Sequence, residues 1–374
     1  MRGDHVQTKK KSRAMSEAVV DDIVAVLPPL LQTLESLGFI ARHLHPPEFG
    51  HVMQIAGEPD EALRAVRPRL AEWPEQFAAI RAQLETASDA ALAAYQGLRT
   101  VQDGNGDLMS VFRALRYTPR ALEALYPLAA RLPPVNEFFT DPALRGDTEL
   151  LTRLAEPAGA TTGILHDSDE PGSRGGFSLY VPEYYAPDRA WPLVMALHGG
   201  SGNGRGFLWS WLRDARSRGA ILVSPTARGS TWALMGDDID TPNLVRILDF
   251  VRARWNVDEK RMLMTGMSDG GTFCYVSGLN SASPFTHLAP VAATFHPLMA
   301  EMADAERLRG LPIHIVHGKL DWMFPVQVAR QTQQALSAAG AAVTYRELDD
   351  LSHTYPREMN AAILDWLNAT PAAT

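Results

Sequence analysis

The chain has little cysteine, no excess of positive charge and no long apolar run, and each of these excludes a class of protein. Its 374 residues include one cysteine, Cys274, so no intramolecular disulfide can form, as is usual in a reducing compartment. The formal net charge is −8, which repels phosphate backbones and excludes nucleic acid as an expected partner. No uninterrupted apolar run reaches the roughly 18 residues needed to cross a bilayer, so we expect no membrane span.

The N-terminal region carries two features that superficially resemble targeting signals. The basic run at residues 9–13 is typical of a solvated terminus, and Met15 follows it closely. We therefore predict that residues 1–15 are a disordered or non-native extension. The apolar stretch at residues 19–40 is interrupted by acids and by two adjacent prolines, which the core of a secretory signal does not tolerate. We predict a cytoplasmic location, and the sequence carries no signal for an oligomeric state.

Residues 16–155 show the apolar spacing of helices. Leu63, Val66 and Leu70 recur at intervals of three and four, and no strand pattern or fixed repeat is visible in this region. The pattern predicts a small all-helical domain of unknown role. We hypothesise that this domain is a cap that covers part of a site in the remainder of the chain and narrows access to it.

Residues 156–374 begin with a turn-rich segment and then show alternating strand and helix patterns. Residues 156–176 have the Gly, Pro, Ser and Asp content of turns and linkers. Short apolar runs then alternate with helical patterns, and such runs suit strands that are buried on both faces. The runs lie at 177–181, 192–198, 220–224, 261–266, 288–295, 312–318 and 342–348, with helices expected near 205–217, 242–255, 269–279, 325–338 and 356–368. This alternation predicts an α/β fold with a mostly parallel sheet flanked by helices.

A candidate nucleophile, Ser268, lies in the sequence Gly-Met-Ser-Asp-Gly at 266–270. The motif follows an expected strand and precedes an expected helix, which is the setting in which G-x-S-x-G forms a sharp turn that lifts a serine hydroxyl to the edge of the sheet. Glycines two positions away leave room for the strand and the helix to approach each other. The alternative is a glycine-rich turn that contains a serine by chance.

A candidate acid and base follow the serine in the chain. Asp321 comes directly after the run at 312–318, and His353 lies between the last expected strand and the last expected helix. Serine, acid and histidine in this order are typical of hydrolases with the G-x-S-x-G turn. In such a triad the histidine accepts the serine proton and the carboxylate orients the imidazole. Asp349 and Asp350 are rival acids, although they precede the histidine closely.

A candidate oxyanion site lies in the glycine-rich loop at 198–204. The tetrahedral intermediate of acyl transfer needs backbone N–H donors, and we predict that Gly200 and Asp269 supply them. A loop of this kind after a strand can also bind a nucleotide. However, G-x-G-x-x-G fits no frame of the loop, and no P-loop lysine follows it.

Taken together, residues 160–370 resemble the phospholipase/carboxylesterase-like branch of the α/β-hydrolase superfamily. They are also similar to polyhydroxybutyrate-depolymerase-like and feruloyl-esterase-like enzymes. The matching segments are YVPEYY (180–185), LVMALHGGSGNG (193–204), VDEKRMLMTGMSDGG (257–271), HGKLDWMFP (317–325) and SHTYP (352–356). The resemblance implies a cofactor-free serine esterase that forms an acyl-enzyme from a small-molecule ester. The region at 16–155 matches no family in this way.

Substrate contacts are predicted from aromatic residues near the expected cleft. Trp322 follows the proposed acid and Trp232 follows the run at 220–224, so either ring could contact the substrate or pack the domain. Cys274 is interpreted as a packing residue. The histidines lack the spacing of zinc ligands, so no metal is expected, and the resemblance implies that no other cofactor is needed.

Three other functions remain compatible with the residues. A serine peptidase or an acyltransferase can use the same triad, because the fold and the triad do not set the leaving group. A catalytically inactive binding protein is a rival from another class, although such a protein has no need of all three residues.

Overall fold

The computed structural model describes the backbone of residues 2–370 and 372, and the side chains of residue 15 and of residues 17–370 and 372. The chain forms two compact units. The first comprises Met1–Ala41 and Pro46–Phe138, and the second comprises Arg42–His45 and Phe139–Thr374. The predicted extension at residues 1–15 lies almost entirely outside the described side chains, so it stays a prediction.

The first unit is helical in its described residues, as the apolar spacing predicts. Leu63, Leu70 and Leu98 are fully buried, and Trp73 donates a hydrogen bond from Nε1 to Asp22 Oδ2 at 3.0 Å. The helices are α1 (Arg2–His43), α2 (Phe49–Ala56), α3 (Pro59–Val66), α4 (Ala78–Gln102), α5 (Leu108–Leu115), α6 (Tyr117–Leu125) and α7 (Pro133–Phe138), with 3-10 turns at Pro46–Glu48, Arg67–Glu72, Glu75–Phe77 and Tyr126–Leu128.

Helix α1 differs from the expectation for its apolar stretch. It continues through Pro28 and Pro29, and among the described residues its portion Glu17–His43 is long and apolar enough to cross a membrane, with a mean hydropathy of 1.6. The core helix of a globular protein passes the same test, and Leu30 and Leu37 of α1 are fully buried. Length and composition alone are therefore weak evidence for a span, and the cytoplasmic location stays a prediction.

The second unit is built on a sheet with helices between its strands. Its elements are α8 (Thr148–Leu154), β1 (Gly163–Asp167), β2 (Phe177–Val181), β3 (Trp191–Leu197), α9 (Gly204–Arg218), β4 (Ile221–Pro225), α10 (Thr241–Arg252), β5 (Val257–Met267), α11 (Asp269–Gly278), β6 (His287–Val291), α12 (Leu298–Met302), α13 (Ala305–Leu308), β7 (Pro312–Gly318), α14 (Val326–Ala338), β8 (Ala342–Leu348) and α15 (Met359–Ala369), with a 3-10 turn at Pro142–Leu144. Every residue of β2, β3, β4, β6 and β7 is buried, which explains their uninterrupted apolar runs.

The strand order in the described sheet is β1-β2-β4-β3-β5-β6-β7-β8. Strand β2 pairs antiparallel with β1 and β4, and the pairings from β4 through β8 are parallel. The predicted mostly parallel sheet is thus confirmed. In a parallel sheet the loops that follow the strands meet at one edge, so the loops after β3, β5, β7 and β8 converge there.

The contacts of Arg216 explain why residues 139–155 group with the sheet, although the sequence pattern placed them in the helical region. This fully buried guanidinium pairs with Glu183 at 3.0 Å. It also donates to the carbonyl of Phe139 at 3.3 Å and to that of Leu154 at 2.5 Å. A buried cation is stable only with such partners, so Arg216 fixes both ends of the segment to the second unit.

His314, in β7, is a buried histidine outside the predicted site. It is 4% exposed, and neither ring nitrogen has a hydrogen-bond partner among the described residues. The edge of its ring packs against Trp366, with centroids 5.2 Å apart. Burial, assisted by the nearby cation of Arg346, lowers the pKa of His314 to about 4. The folded state therefore holds this imidazole neutral.

We expect the variant His314→Leu to reduce the loss of stability at acidic pH. As pH is lowered, the imidazole of the unfolded chain takes up a proton near pH 6.5, but that of the folded chain does so only near pH 4. Between these values the free energy of unfolding therefore decreases as the pH is lowered, by about 1.4 kcal/mol per pH unit at most. The leucine variant should lack this slope, and at pH 5 it should gain about 2 kcal/mol relative to wild type beyond any difference at pH 7. Urea unfolding at pH 7 and pH 5 measures this difference.

The matched control is His296→Leu, which replaces an exposed histidine of the same unit. Comparison of its pH slope with that of His314→Leu separates the effect of losing the buried imidazole from the effect of losing a histidine as such. Equal pH slopes for wild type and His314→Leu would show that the buried imidazole does not cause the loss of stability in acid.

Candidate active site

Ser268 occupies a strained turn between β5 and α11. Its φ of 55° lies in the left-handed region that side chains rarely adopt. The turn is held by two backbone bonds, from Ser268 N–H to Val291 O at 3.0 Å and from Thr272 N–H to Ser268 O at 2.8 Å. Strain maintained by surrounding structure in this way is a common feature of functional sites.

The glycines of the motif are required by close packing. A Cβ at Gly266 would lie 2.6 Å from the backbone of Gly270, and a Cβ at Gly270 would lie 2.5 Å from the carbonyl oxygens of Leu197 and His198. Backbone atoms cannot move aside for such contacts. The two glycines therefore let β5, α11 and the end of β3 approach one another, as the motif predicts.

The structure brings Ser268, His353 and Asp321 into one hydrogen-bonded chain. His353 Nε2 lies 3.0 Å from Ser268 Oγ, and His353 Nδ1 lies 2.8 Å from Asp321 Oδ2. All three side chains are buried. The rival acids lie elsewhere: Asp349 pairs with Lys319, and the exposed Asp350 pairs with Arg42.

The carboxylate of Asp321 is held in its ionised form. Burial opposes ionisation, but hydrogen bonds from His353 and from the N–H of Phe324 outweigh it and lower the pKa of Asp321. The second oxygen, Oδ1, accepts from the N–H of Met323 at 2.9 Å and of Phe324 at 2.8 Å. With one oxygen fixed by backbone donors, the other is directed at the imidazole.

His317 is a buried neighbour of Asp321 that sequence reasoning did not assign to the site. Its Nε2 lies 2.8 Å from the carbonyl of Phe324 and 3.5 Å from Asp321 Oδ2, and burial lowers the pKa of His317. A neutral imidazole that donates from Nε2 to Phe324 O steadies the turn that presents Asp321. The histidine of the HGKLD segment was visible in sequence, but nothing in the local pattern tells which carbonyl it meets.

The loop after β3 lies against the nucleophile. A Cβ at Gly199 would be 3.7 Å from Ser268 Cβ, and a Cβ at Gly200 would be 2.8 Å from Asp269 Oδ2. Asp269 Oδ2 also accepts a hydrogen bond of 2.5 Å from Thr231 Oγ1. Gly200 and Asp269, the two predicted donors, are therefore neighbours beside Ser268.

His198 fixes the conformation of this loop. Its Nδ1 donates to Gly199 O at 2.7 Å, and its Nε2 accepts from the N–H of Ala227 at 3.1 Å. This pattern requires a neutral imidazole, and burial lowers the pKa of His198 to about 4. The ring therefore keeps both bonds at neutral pH and ties the loop after β3 to the loop after β4.

Trp232, one of the two predicted substrate contacts, is buried and packs against the residues around the loop after β3. The side chain is 3% exposed, stacks on Phe273 with centroids 5.3 Å apart, and donates from Nε1 to His198 O at 2.7 Å. Its contacts give it the role of supporting the loop that contains Gly200. The sequence showed an aromatic residue after a strand but not the direction of its ring.

The other predicted aromatic, Trp322, is accessible and adjacent to the histidine. It is 43% exposed, and its ring centroid lies 6.1 Å from that of His353. Phe324, two residues further along the chain, packs edge-on against the same imidazole, with ring centroids 5.2 Å apart. Cys274 is fully buried and burial raises the pKa of its thiol, in keeping with a packing residue. Among the described residues, no cluster of histidine, cysteine or acidic side chains could hold a metal ion.

The second unit has an α/β-hydrolase fold, given its mixed sheet, its helices and the serine turn after β5. Residues 238–370 match the model of the phospholipase/carboxylesterase family. The resemblance recognised in the sequence motifs is thus confirmed.

Two curated proteins are similar in sequence to part of the chain. One is a bifunctional acetylxylan esterase/xylanase of Neocallimastix patriciarum, 32% identical over 158 residues, which are 41% of this chain and 22% of that protein. The other is a probable feruloyl esterase C of Aspergillus terreus, 31% identical over 116 residues, which are 29% of this chain and 43% of that protein. The chain thus spans less than half the length of these relatives.

Solved structures are similar over about half of the chain. A thermostable esterase has a TM-score of 0.46 and 21% identity, with coverage of 56% of this chain and 63% of that one. A ferulic acid esterase has a TM-score of 0.45 and 16% identity, with coverage of 55% of this chain and 96% of that one.

Proposed function

We propose that the chain is a serine hydrolase that cleaves carboxylic esters of small molecules through an acyl-enzyme. The observation that carries the proposal is the continuous hydrogen-bonded chain from Ser268 Oγ through His353 to Asp321. A buried serine with an adjacent base, itself oriented by a carboxylate, is the arrangement that activates a hydroxyl for attack on a carbonyl. The phospholipase/carboxylesterase match at 238–370 supports an ester as the substrate.

Each residue has a defined role in the proposed mechanism. His353 Nε2 takes the proton of Ser268 as Oγ attacks the ester carbonyl carbon, and the carbonyl oxygen becomes an oxyanion. The intermediate then collapses, and the alkoxide leaves with the proton held by His353. Water, deprotonated by the same nitrogen, attacks the acyl carbon, and the bond to Ser268 Oγ then breaks, which releases the acid while Oγ takes back the proton from His353. Asp321 holds the imidazole in the tautomer whose Nε2 can accept a proton and stabilises the imidazolium.

We assign the oxyanion donors to the backbone N–H groups of Gly200 and Asp269. The two residues lie beside Ser268, and Asp269 begins α11, where the helix dipole favours negative charge. Loss of one such donor typically costs about 10²–10³ in kcat. Trp322 is the aromatic that we propose to contact the substrate, since it is both exposed and next to His353.

The proposal is tested by incubating the purified chain with p-nitrophenyl acetate, butyrate and octanoate, and separately with a fluorophosphonate probe. We expect ester hydrolysis, and a covalent adduct that peptide mass spectrometry locates at Ser268. The chain-length preference then indicates the size of the acyl pocket. Labelling of Ser268 without hydrolysis of any ester, together with cleavage of an aminoacyl p-nitroanilide, would favour a peptidase. A folded sample that neither hydrolyses nor labels would contradict the proposal.

A further inference from the structure

A short segment from the N-terminal part of the chain lies in the second unit. Residues Arg42–His45, here called the strap, group with the sheet, although the residues on both sides of them belong to the helical unit. Sequence analysis gave these residues no role. Their partners are the residues that flank His353.

The strap binds the two residues adjacent to His353. His45 Nδ1 lies 3.2 Å from Ser352 Oγ, and Thr354 Oγ1 donates to the carbonyl of Arg42 at 2.8 Å. Ser352 and Thr354 are buried, so these contacts are shielded from water. The backbone that bears His353 is therefore fixed immediately before and immediately after the imidazole.

The side chain of Arg42 joins the two ends of the same loop. Its Nη2 donates to Asp350 Oδ1 at 3.1 Å and its Nε to Glu358 Oε1 at 2.5 Å, so one guanidinium links a residue before His353 to a residue after it. Burial opposes ionisation of Asp350, but the hydrogen bond from Arg42 outweighs it and lowers the pKa of Asp350. The side chain of Arg42 is 13% exposed, whereas those of Asp350 and Glu358 are 65% and 49% exposed, so solvent screens these pairs and the buried contacts of Ser352 and Thr354 carry more of the argument.

The other members of the site are fixed by their own elements. Ser268 is held by Val291 and the start of α11, and Asp321 by the backbone of Met323 and Phe324. His353, by contrast, lies in the loop between β8 and α15, and its flanking side chains bond to the strap, far away in sequence. The loop that bears His353 also bonds to its own unit, from Leu320 N–H to Leu351 O at 3.0 Å, but the side chains on both sides of the imidazole bond to residues more than 300 positions upstream.

We propose that Arg42 and His45 are positioning residues that keep His353 within hydrogen-bonding distance of Ser268 and Asp321. The inference rests on the proposed serine hydrolase function and adds a requirement to it. A displacement of about 1 Å at a reacting group can cost roughly 10² in rate, so loosening the loop should lower kcat. Substrate binding by other parts of the site should be little affected.

The test compares wild type with His45→Ala, His45→Asn and Arg42→Ala. The asparagine can replace Nδ1 of His45 with an amide group, so it is the conservative variant. With p-nitrophenyl acetate, we expect the alanine variants to lower kcat by about 10–100-fold while KM changes less than about twofold. Fluorophosphonate labelling should slow in parallel, and His45→Asn should recover most of the rate.

The matched control is Arg309→Ala, which removes an exposed arginine that makes a two-pronged pair with Glu306. It should have wild-type kinetics. A second measurement compares His45→Ala, Ser352→Ala and the double variant that combines them, and it addresses a general loss of folding. If the contact acts as one unit, the double variant should be no slower than the slower single variant.

The outcomes separate the inference from the function on which it rests. Wild-type kcat and labelling in Arg42→Ala and His45→Ala, in a chain that hydrolyses esters, would overturn the inference and leave the function intact. Equal loss in His45→Ala and His45→Asn, or additive losses in the double variant, would also overturn it. A wild-type chain that neither hydrolyses nor labels would overturn both.

Discussion

Replacement of Ser268 by alanine is expected to lower kcat for p-nitrophenyl acetate by about 10⁵–10⁶-fold. Without Oγ no acyl-enzyme can form, and His353 Nε2 loses the partner that lies 3.0 Å away in the wild type. The oxyanion donors and the binding surface should still leave a rate of about 10³–10⁴ above that in water. Steady-state kinetics measure the loss, and the fluorophosphonate adduct at position 268 should disappear.

The control for Ser268→Ala replaces a different nucleophilic side chain and should leave the fold unchanged. Cys274 lies on α11, six residues beyond Ser268, and is fully buried. Because burial raises the pKa of its thiol, it should not form a reactive thiolate, and Cys274→Ala should retain kcat within about threefold. Full activity in Ser268→Ala, or its loss in Cys274→Ala with an unchanged melting curve, would show that the nucleophile has been assigned to the wrong residue.

The sheet could be predicted where its strands are buried on both faces. Such strands are apolar throughout, and the predicted runs match the fully buried β2, β3, β4 and β7 to within one residue, while the run at 288–295 extends past the end of the buried β6. The run at 342–348 also matches β8, although this edge strand has no fully buried residue, and β5 begins before its run. Strand β1 was missed because its residues Gly163–Asp167 lie within a turn-rich stretch. It is an edge strand that pairs only with β2, and four of its five residues are not fully buried. An edge strand with one covered face lacks an uninterrupted apolar signal.

The limits of the helical region could not be read from periodicity. Residues 139–155 include α8 and a 3-10 turn, so their local pattern agrees with the helical region before them. Their attachment to the sheet depends on Arg216, an arginine within α9 that by sequence looks like a surface residue. Long-range polar contacts of this kind leave no periodic pattern.

In the candidate site, too, local sequence pattern predicted some features, whereas features that depend on long-range contacts were missed. Ser268, Asp321 and His353 were predictable because each follows a strand, and the ends of parallel strands meet at one edge. The burial of Trp232 and the contacts of the strap were not predictable, because they depend on side-chain direction and on the partners of distant loops. Sequence thus indicated which three residues meet in the candidate site and missed the residues that support them.

The variant Asp321→Asn is expected to lower kcat by about 10⁴-fold through the tautomer of His353. In the wild type, Oδ1 accepts two backbone N–H groups, while Oδ2 accepts from His353 Nδ1. In the asparagine variant the backbone donors should keep the amide oxygen, so the NH₂ group faces Nδ1. That nitrogen must then accept, and the proton moves to Nε2, which can no longer take the proton of Ser268.

The rival acid Asp349 supplies the matched control for this variant. Asp349→Asn makes the same chemical change on a side chain that is 86% exposed and paired with Lys319. It should keep wild-type kinetics and wild-type fluorophosphonate labelling, whereas Asp321→Asn should label far more slowly.

Because the pKa of Asp321 is lowered in the folded state, its carboxylate stabilises the fold at pH values above the usual range of carboxyl pKa values. This contribution is lost as the pH falls through the lowered pKa. The asparagine variant should therefore lose stability at pH 7 and show a shallower decline in acid. Full activity in Asp321→Asn together with a loss in Asp349→Asn would transfer the role of the acid to Asp349.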